Sequence, residues 1–187
     1  MLKHLNTIWL LSAVSILCLL YLFTDWLTRD AIAGLLASMG PIAFAVYIVL
    51  SLTRSLALLP CSPFILAGAI TFPQWPMAVF IISMIGIVVG ASLIYSFPSF
   101  GGYDRLLEEK YPEKIAGLKQ KMHGRFAFWI VTGWSFFPLV PTDAVCYAAG
   151  ISKMPLRKML AAVVLGELPL VTAYVFLGAE IGEWLRV

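Results

Sequence analysis

Three ionisable residues stand in apolar surroundings where charge is costly, so they are the first candidates for chemistry: Arg54, Asp143 and Glu167. Arg54 lies six residues before Pro60, inside the greasy run 41–59. A charge near the centre of a bilayer costs roughly 2.5–3.5 kcal/mol on insertion scales, so it is expected to face a cavity, an acid or an anionic ligand. A guanidinium grips phosphate through two parallel hydrogen bonds, which makes Arg54 a candidate ligand for a lipid phosphate. The plainer reading is an arginine snorkelling to the interface. Asp143 follows Pro141 by two residues. There it, or Thr142, is placed to cap a helix, and the same carboxylate could instead pair with Arg54 or exchange a proton. Glu167 sits nine residues into the apolar run 159–179, beside Gly166 and before Pro169, where a helix should bend. Intramembrane acids are functional candidates by default, so Glu167 reads as a proton relay, or as a structural hydrogen bond between helices.

The elements that must position these groups are unusual. Two apolar segments are broken by prolines three residues apart: Leu58-Leu59-Pro60-Cys61-Ser62-Pro63 and Phe136-Phe137-Pro138-Leu139-Val140-Pro141. Proline lacks a backbone donor and clashes with the preceding turn, so each pair predicts an unwound corner. Hydrocarbon tolerates such backbone only where protein buries it or water wets it. Two broken segments in corresponding halves of a chain therefore point to a polar centre inside a membrane protein.

Composition agrees. The chain of 187 residues is 61% hydrophobic and 12% charged, and its mean hydropathy of +0.92 leaves a soluble domain nowhere to hide its apolar surface. The length predicts one membrane domain, 1–187, without a separate soluble catalytic module. Residues 5–23 form an apolar run behind Lys3 and His4, but Thr24-Asp25-Trp26 is no small-residue cleavage site. We expect an uncleaved first span over 1–25. Residues 77–97 and 159–179 are each long enough to cross as well, at 21 residues.

The shorter apolar pieces, 64–70, 126–137 and 142–150, cannot cross a core of about 30 Å. The economical reading is two re-entrant helical hairpins, 41–71 and 124–151, each turning at its proline pair and leaving on the side it entered. Charge supports this arrangement. With the N-terminus inside, 10 of the 13 Lys and Arg fall on the cytoplasmic face, Arg29 and Arg186 fall outside, and Arg54 is left in the membrane.

Between the halves, Leu107, Tyr111, Ile115, Leu118 and Met122 make an apolar stripe at helical spacing with lysines opposite, which predicts an interfacial helix over 104–123 divided at Pro112. A shorter counterpart is expected over 26–39. Each half, 26–98 and 99–187, then reads interfacial helix, broken hairpin, full span. Pro-x-x-Pro, Ala67-Gly68 or Ala149-Gly150, a span-opening Pro76 or Pro155, and Tyr95 or Tyr174 recur in the same order. The expected fold is an all-α multi-pass membrane protein built as an inverted repeat, with two opposed re-entrant hairpins, about three transmembrane helices and interfacial amphipathic helices.

Other features read as structural. Cys18, Cys61 and Cys146 show neither disulfide nor zinc spacing, and His4 and His123 are isolated, so neither metal nor cofactor is expected. Cys61 or Ser62 as a nucleophile would lack a nearby histidine, so no enzyme is expected. Gly86, Gly90, Gly150, Gly166 and Gly178 suit close helix packing, and the six tryptophans suit an interfacial belt. The basic residues of 105–125 suit anionic lipid rather than nucleic acid.

The run from Phe137 to Gly150, followed by Gly166-Glu167-Leu168-Pro169 and Tyr174, resembles the DedA/VTT superfamily, also called SNARE-associated Golgi proteins. Arg54, Leu59-Pro60-Cys61-Ser62-Pro63 and Leu66-Ala67-Gly68-Ala69 extend the likeness over roughly residues 40–180. The resemblance implies opposed re-entrant hairpins and lipid transport or scrambling, in bacteria the recycling of polyprenyl-phosphate carriers, often linked to the proton gradient. It implies Arg54, Pro60, Pro63, Gly68, Pro138, Pro141, Asp143, Tyr147 and Gly150 as substrate-site residues, with Asp143 and Glu167 as charge-balancing or proton-relaying groups. One departure stands out: members often carry arginine three residues before the first proline of the second hairpin, and here that residue is Ser135.

The expected activity is translocation of a phospholipid or polyprenyl phosphate across the cytoplasmic (inner) membrane, with proton coupling and self-association both open. The competing class is a membrane-organising or assembly protein that moves nothing. The expected partners are membrane lipids with anionic headgroups.

Overall fold

A computed structural model describes residues 28–57, 59–100, 102–138 and 140–178. The expected first span, Arg186 and the N-terminal orientation lie outside these residues. Among the described residues every element is helical: α1 (Arg29–Ser38), α2 (Ala43–Thr53), α3 (Cys61–Thr71), α4 (Pro76–Phe100), α5 (Tyr103–Lys110), α6 (Pro112–His123), α7 (Ala127–Phe136), α8 (Thr142–Ser152) and α9 (Leu156–Phe176). Short 3-10 turns precede and follow α2, at Gly40–Ile42 and Arg54–Ala57.

Only α4, at 25 residues, and α9, at 21, are long and apolar enough to cross a membrane among the described residues. The four arms α2, α3, α7 and α8 have 10 or 11 residues each, about 16 Å as helices, half of a hydrocarbon core. Pro112 opens α6, so the stretch 104–123 is two helices, divided where the sequence predicts. Ile115 and Met122 bury their side chains, whereas Tyr111 is exposed between Lys110 and Lys114, whose ammonium groups each lie 5.4 Å from its ring centre.

The packing order is the same in both halves. The helix that precedes the first arm of each half packs on that half's second arm, α1 on α3 and α6 on α8. The first arm packs on its own half's long helix, α2 on α4 and α7 on α9. The second arm crosses to the other half's long helix, α8 on α4 and α3 on α9, and α4 and α9 also pack together. Glycines permit the first-arm contacts. A Cβ on Gly86 would lie 2.6 Å from the Ser51 carbonyl oxygen, and one on Gly166 would lie 2.5 Å from that of Thr132. Backbone that close leaves no room for a side chain.

The core is apolar, and so, unlike that of a water-soluble domain, is much of the surface. Met77, Ile81, Ile85, Val89, Leu93 and Phe97 form an exposed stripe at four-residue spacing along α4, and Trp129, Ile130 and Trp134 are exposed on α7. Arg54 and Glu167, by contrast, are 9% and 3% exposed. Charge inside and hydrocarbon outside is the arrangement a bilayer demands.

Candidate functional site

The two proline corners are not built alike. In the first, Pro60 is extended (φ −61°, ψ 147°) and precedes α3, which begins at Cys61. Pro63 therefore lies inside the first turn of α3 and does not bound an unwound loop, as the sequence pattern suggests. A first-turn proline costs little, because its missing N–H would have had no intrahelical acceptor. In the second corner the helix stops at Phe136, and Phe137 and Pro141 are extended on either side of the break. Here both prolines, Pro138 and Pro141, stay outside helix.

Between the corners lies a cavity of about 330 Å³. Arg54, Pro60, Cys61 and Ser62 line it from the first hairpin, and Pro138, Pro141, Thr142 and Asp143 from the second. Glu167 of α9 and Ile87 and Ala91 of α4 also line it, as do Phe137, Val140 and Leu170. Residues 54, 143 and 167, spread over more than a hundred positions in sequence, thus share one cavity.

Arg54 opens the 3-10 turn that ends the first arm, and its Nη1 donates to the Leu59 carbonyl at 3.0 Å. That bond satisfies a carbonyl freed by the break and holds the guanidinium across the corner. No carboxylate forms an ion pair with Arg54 among the described residues, so the pairing with Asp143 considered above is not made as a direct contact. Arg54, Asp143 and Glu167 instead line the same cavity.

The capping expected of Asp143 or Thr142 is not realised. Pro141 is the cap residue of α8, and no side chain caps it. The Thr142 hydroxyl instead donates to Glu167 Oε1 in a short hydrogen bond that ties the second corner to α9. Sequence reading missed this role for Thr142, because spacing along a chain carries no sign of a partner 25 residues away. Trp134 Nε1 donates to the Pro141 carbonyl at 3.2 Å, bracing the same corner from α7.

The remaining residues singled out by sequence lie elsewhere. Gly68 packs beneath the Tyr47 ring, where a Cβ would come within 2.5 Å of the ring carbon. Tyr47 in turn exchanges a hydrogen bond of 3.0 Å with Ser83 of α4. Gly150 packs against the Tyr95 backbone on α4, and the Tyr95 hydroxyl donates to the Met154 carbonyl at 2.7 Å. Tyr147 in α8 and Pro63 in α3 are half-buried; neither they nor the two glycines line the cavity. Ser135 is fully buried, its hydroxyl has no hydrogen-bond partner among the described residues, and its Cβ is a neighbour of Gly166. That position faces a helix contact, not the cavity.

The model of the VTT domain matches residues 59–180 of the chain. No curated protein and no solved structure matches the sequence.

Proposed function

From the premise that the chain belongs to the VTT-domain family, of integral membrane proteins, we propose that it moves lipid headgroups through the cavity between its two proline corners. The observation that carries this reading is the shared enclosure of Arg54, Asp143 and Glu167 between arms too short to cross a bilayer. In this reading each hairpin is re-entrant and the two enter from opposite leaflets. The identical packing order of the two halves supports an inverted repeat, because a two-fold axis between α4 and α9 would relate one order to the other.

The chemistry follows from the lining. A headgroup leaving water loses its hydration, and Arg54 replaces it with a fixed donor to phosphate. Asp143 and Glu167 balance charge or relay protons as the headgroup passes, while the acyl or prenyl tails stay outside against the exposed stripes of α4 and α7. Proteins of this reading sit in the cytoplasmic membrane with the basic residues of α5, α6 and the turn at Lys153 on the inner face.

Purified protein in liposomes tests the proposal. Fluorescent phospholipid should equilibrate between leaflets with the wild type and at least about tenfold more slowly with Arg54→Ala or Glu167→Gln, the low end for deleting one member of a desolvated polar set. Undiminished movement in both variants would remove these residues from the path. A wild type that moves nothing but recovers a stable protein partner would favour the membrane-organising alternative.

A further inference from the structure

The cavity is electrically two-sided. On one side stand Arg54 and the start of α3, whose first turn holds no acid and whose cap residue, Pro60, offers no side-chain acceptor. The backbone N–H groups of Cys61 and Ser62 belong to that first turn, have no intrahelical acceptor, and their residues line the cavity. Helix N-termini and guanidinium groups both favour anions. On the other side stand Asp143, in the first turn of α8, and Glu167, which accepts the Thr142 hydroxyl on Oε1 and keeps Oε2 without a hydrogen bond among the described residues. The described lining thus sets one guanidinium against two carboxylates.

This balance discriminates between headgroups. A phosphate monoester brings about −1.5 to −2 charges at neutral pH. Against a lining with a single cation and two acids, that excess has no partner, and charge taken out of water without compensation is unfavourable. A phosphodiester brings one negative charge, and an attached ammonium supplies the cation that the acidic side lacks. Resting on the transport reading above, we propose that the cavity selects lipids whose headgroup carries both a phosphodiester and an ammonium, with phosphate at Arg54 and the α3 start and ammonium at Asp143 and Glu167. Phosphate monoesters, polyprenyl phosphate among them, are then the disfavoured class.

Four acyl-chain-labelled lipids with identical tails test this on the full chain in liposomes: phosphatidylethanolamine, phosphatidylcholine, phosphatidylglycerol and phosphatidic acid. The two zwitterions should move about tenfold faster or more than the two anionic lipids, the ratio that one desolvated ammonium–carboxylate contact supplies at its low end. Asp143→Asn and Glu167→Gln should each narrow that ratio, by slowing the zwitterions more than phosphatidylglycerol. Phosphatidic acid or phosphatidylglycerol moving as fast as phosphatidylethanolamine would overturn the headgroup assignment and leave the transport reading standing. If no lipid moves, the transport reading fails, and the assignment is decided by binding. Dihexanoyl phosphatidylethanolamine raising the melting temperature of the detergent-solubilised protein more than dihexanoyl phosphatidic acid would uphold it, and the reverse order would overturn it.

Discussion

Arg54 has two attachments with different consequences. Its bond to the Leu59 carbonyl is structural, and its side chain also lines the cavity. Arg54→Ala should therefore lower stability by about 1–3 kcal/mol, the usual cost of a buried carbonyl left unpaired, as well as slow lipid movement as above. Arg54→Lys should recover part of the stability but little transport, because an ammonium is a point charge and lacks the planar fork. Melting curves in detergent, run beside the liposome assay, separate the two effects. Thr142 makes a second prediction. Thr142→Val removes the hydroxyl that holds Glu167, and transport should fall about tenfold, whereas Thr142→Ser should keep it, a hydrogen bond to an acid being worth about 1.5–3 kcal/mol. Equal transport in Val and Ser variants would show that the bond has no functional part. Arg54, Asp143 and Glu167 were legible in sequence because charge in hydrocarbon always requires a reason. Thr142 was not, since a hydroxyl in an apolar run satisfies itself on the preceding helical turn as easily as on a distant acid, as Thr132 and Thr172 do here.

At the scale of elements, proline spacing located both corners but not their shapes. Sequence places Pro60 and Pro63 on equal terms with Pro138 and Pro141. Only one intervening detail separates them: the second corner has three residues, Leu139, Val140 and Pro141, after its first proline before α8 begins, whereas α3 begins at once. The glycines were legible as packing positions and proved so where Gly86 and Gly166 meet the first arms. Gly166→Ala would bring a Cβ within 2.5 Å of the Thr132 carbonyl oxygen, a backbone atom that cannot swing away. A destabilisation of about 1–3 kcal/mol is expected, while Gly117→Ala, with open space around it, should leave the melting temperature unchanged or raise it. Lys153 is a different case. It holds φ +55° at the end of α8, and its ammonium lies 3.4 Å from Asp104. A left-handed non-glycine residue costs about 1–2 kcal/mol, and the ion pair, whose ammonium is exposed although Asp104 is buried, contributes on the order of 1 kcal/mol. Lys153→Gly should therefore be neutral or stabilising, and a melting temperature lowered by several degrees would show that the Asp104 contact outweighs the strain.

For the whole molecule, the same order of packing in two halves explains how 187 residues enclose a charged cavity in hydrocarbon. Each second arm, besides packing within its own half, lies on the long helix of the other, so the two corners are brought to one place by the contacts that hold the fold together. Sequence revealed the recurring motifs and the short arms, because helix length and proline position are local properties. It did not reveal the exchange of arms, which depends on side chains meeting across more than fifty residues, as Tyr95 and Met154 do. The central claim is that both hairpins return to the side they entered, from opposite faces. Single cysteines placed at Ser38, Gln74, Arg125 and Lys153, in a background without Cys18, Cys61 and Cys146, measure this by labelling with an impermeant maleimide from each side of sealed vesicles. The account predicts that 38 and 74 label from the outer face only, and 125 and 153 from the inner face only. Opposite-side labelling of the two ends of either hairpin would contradict it.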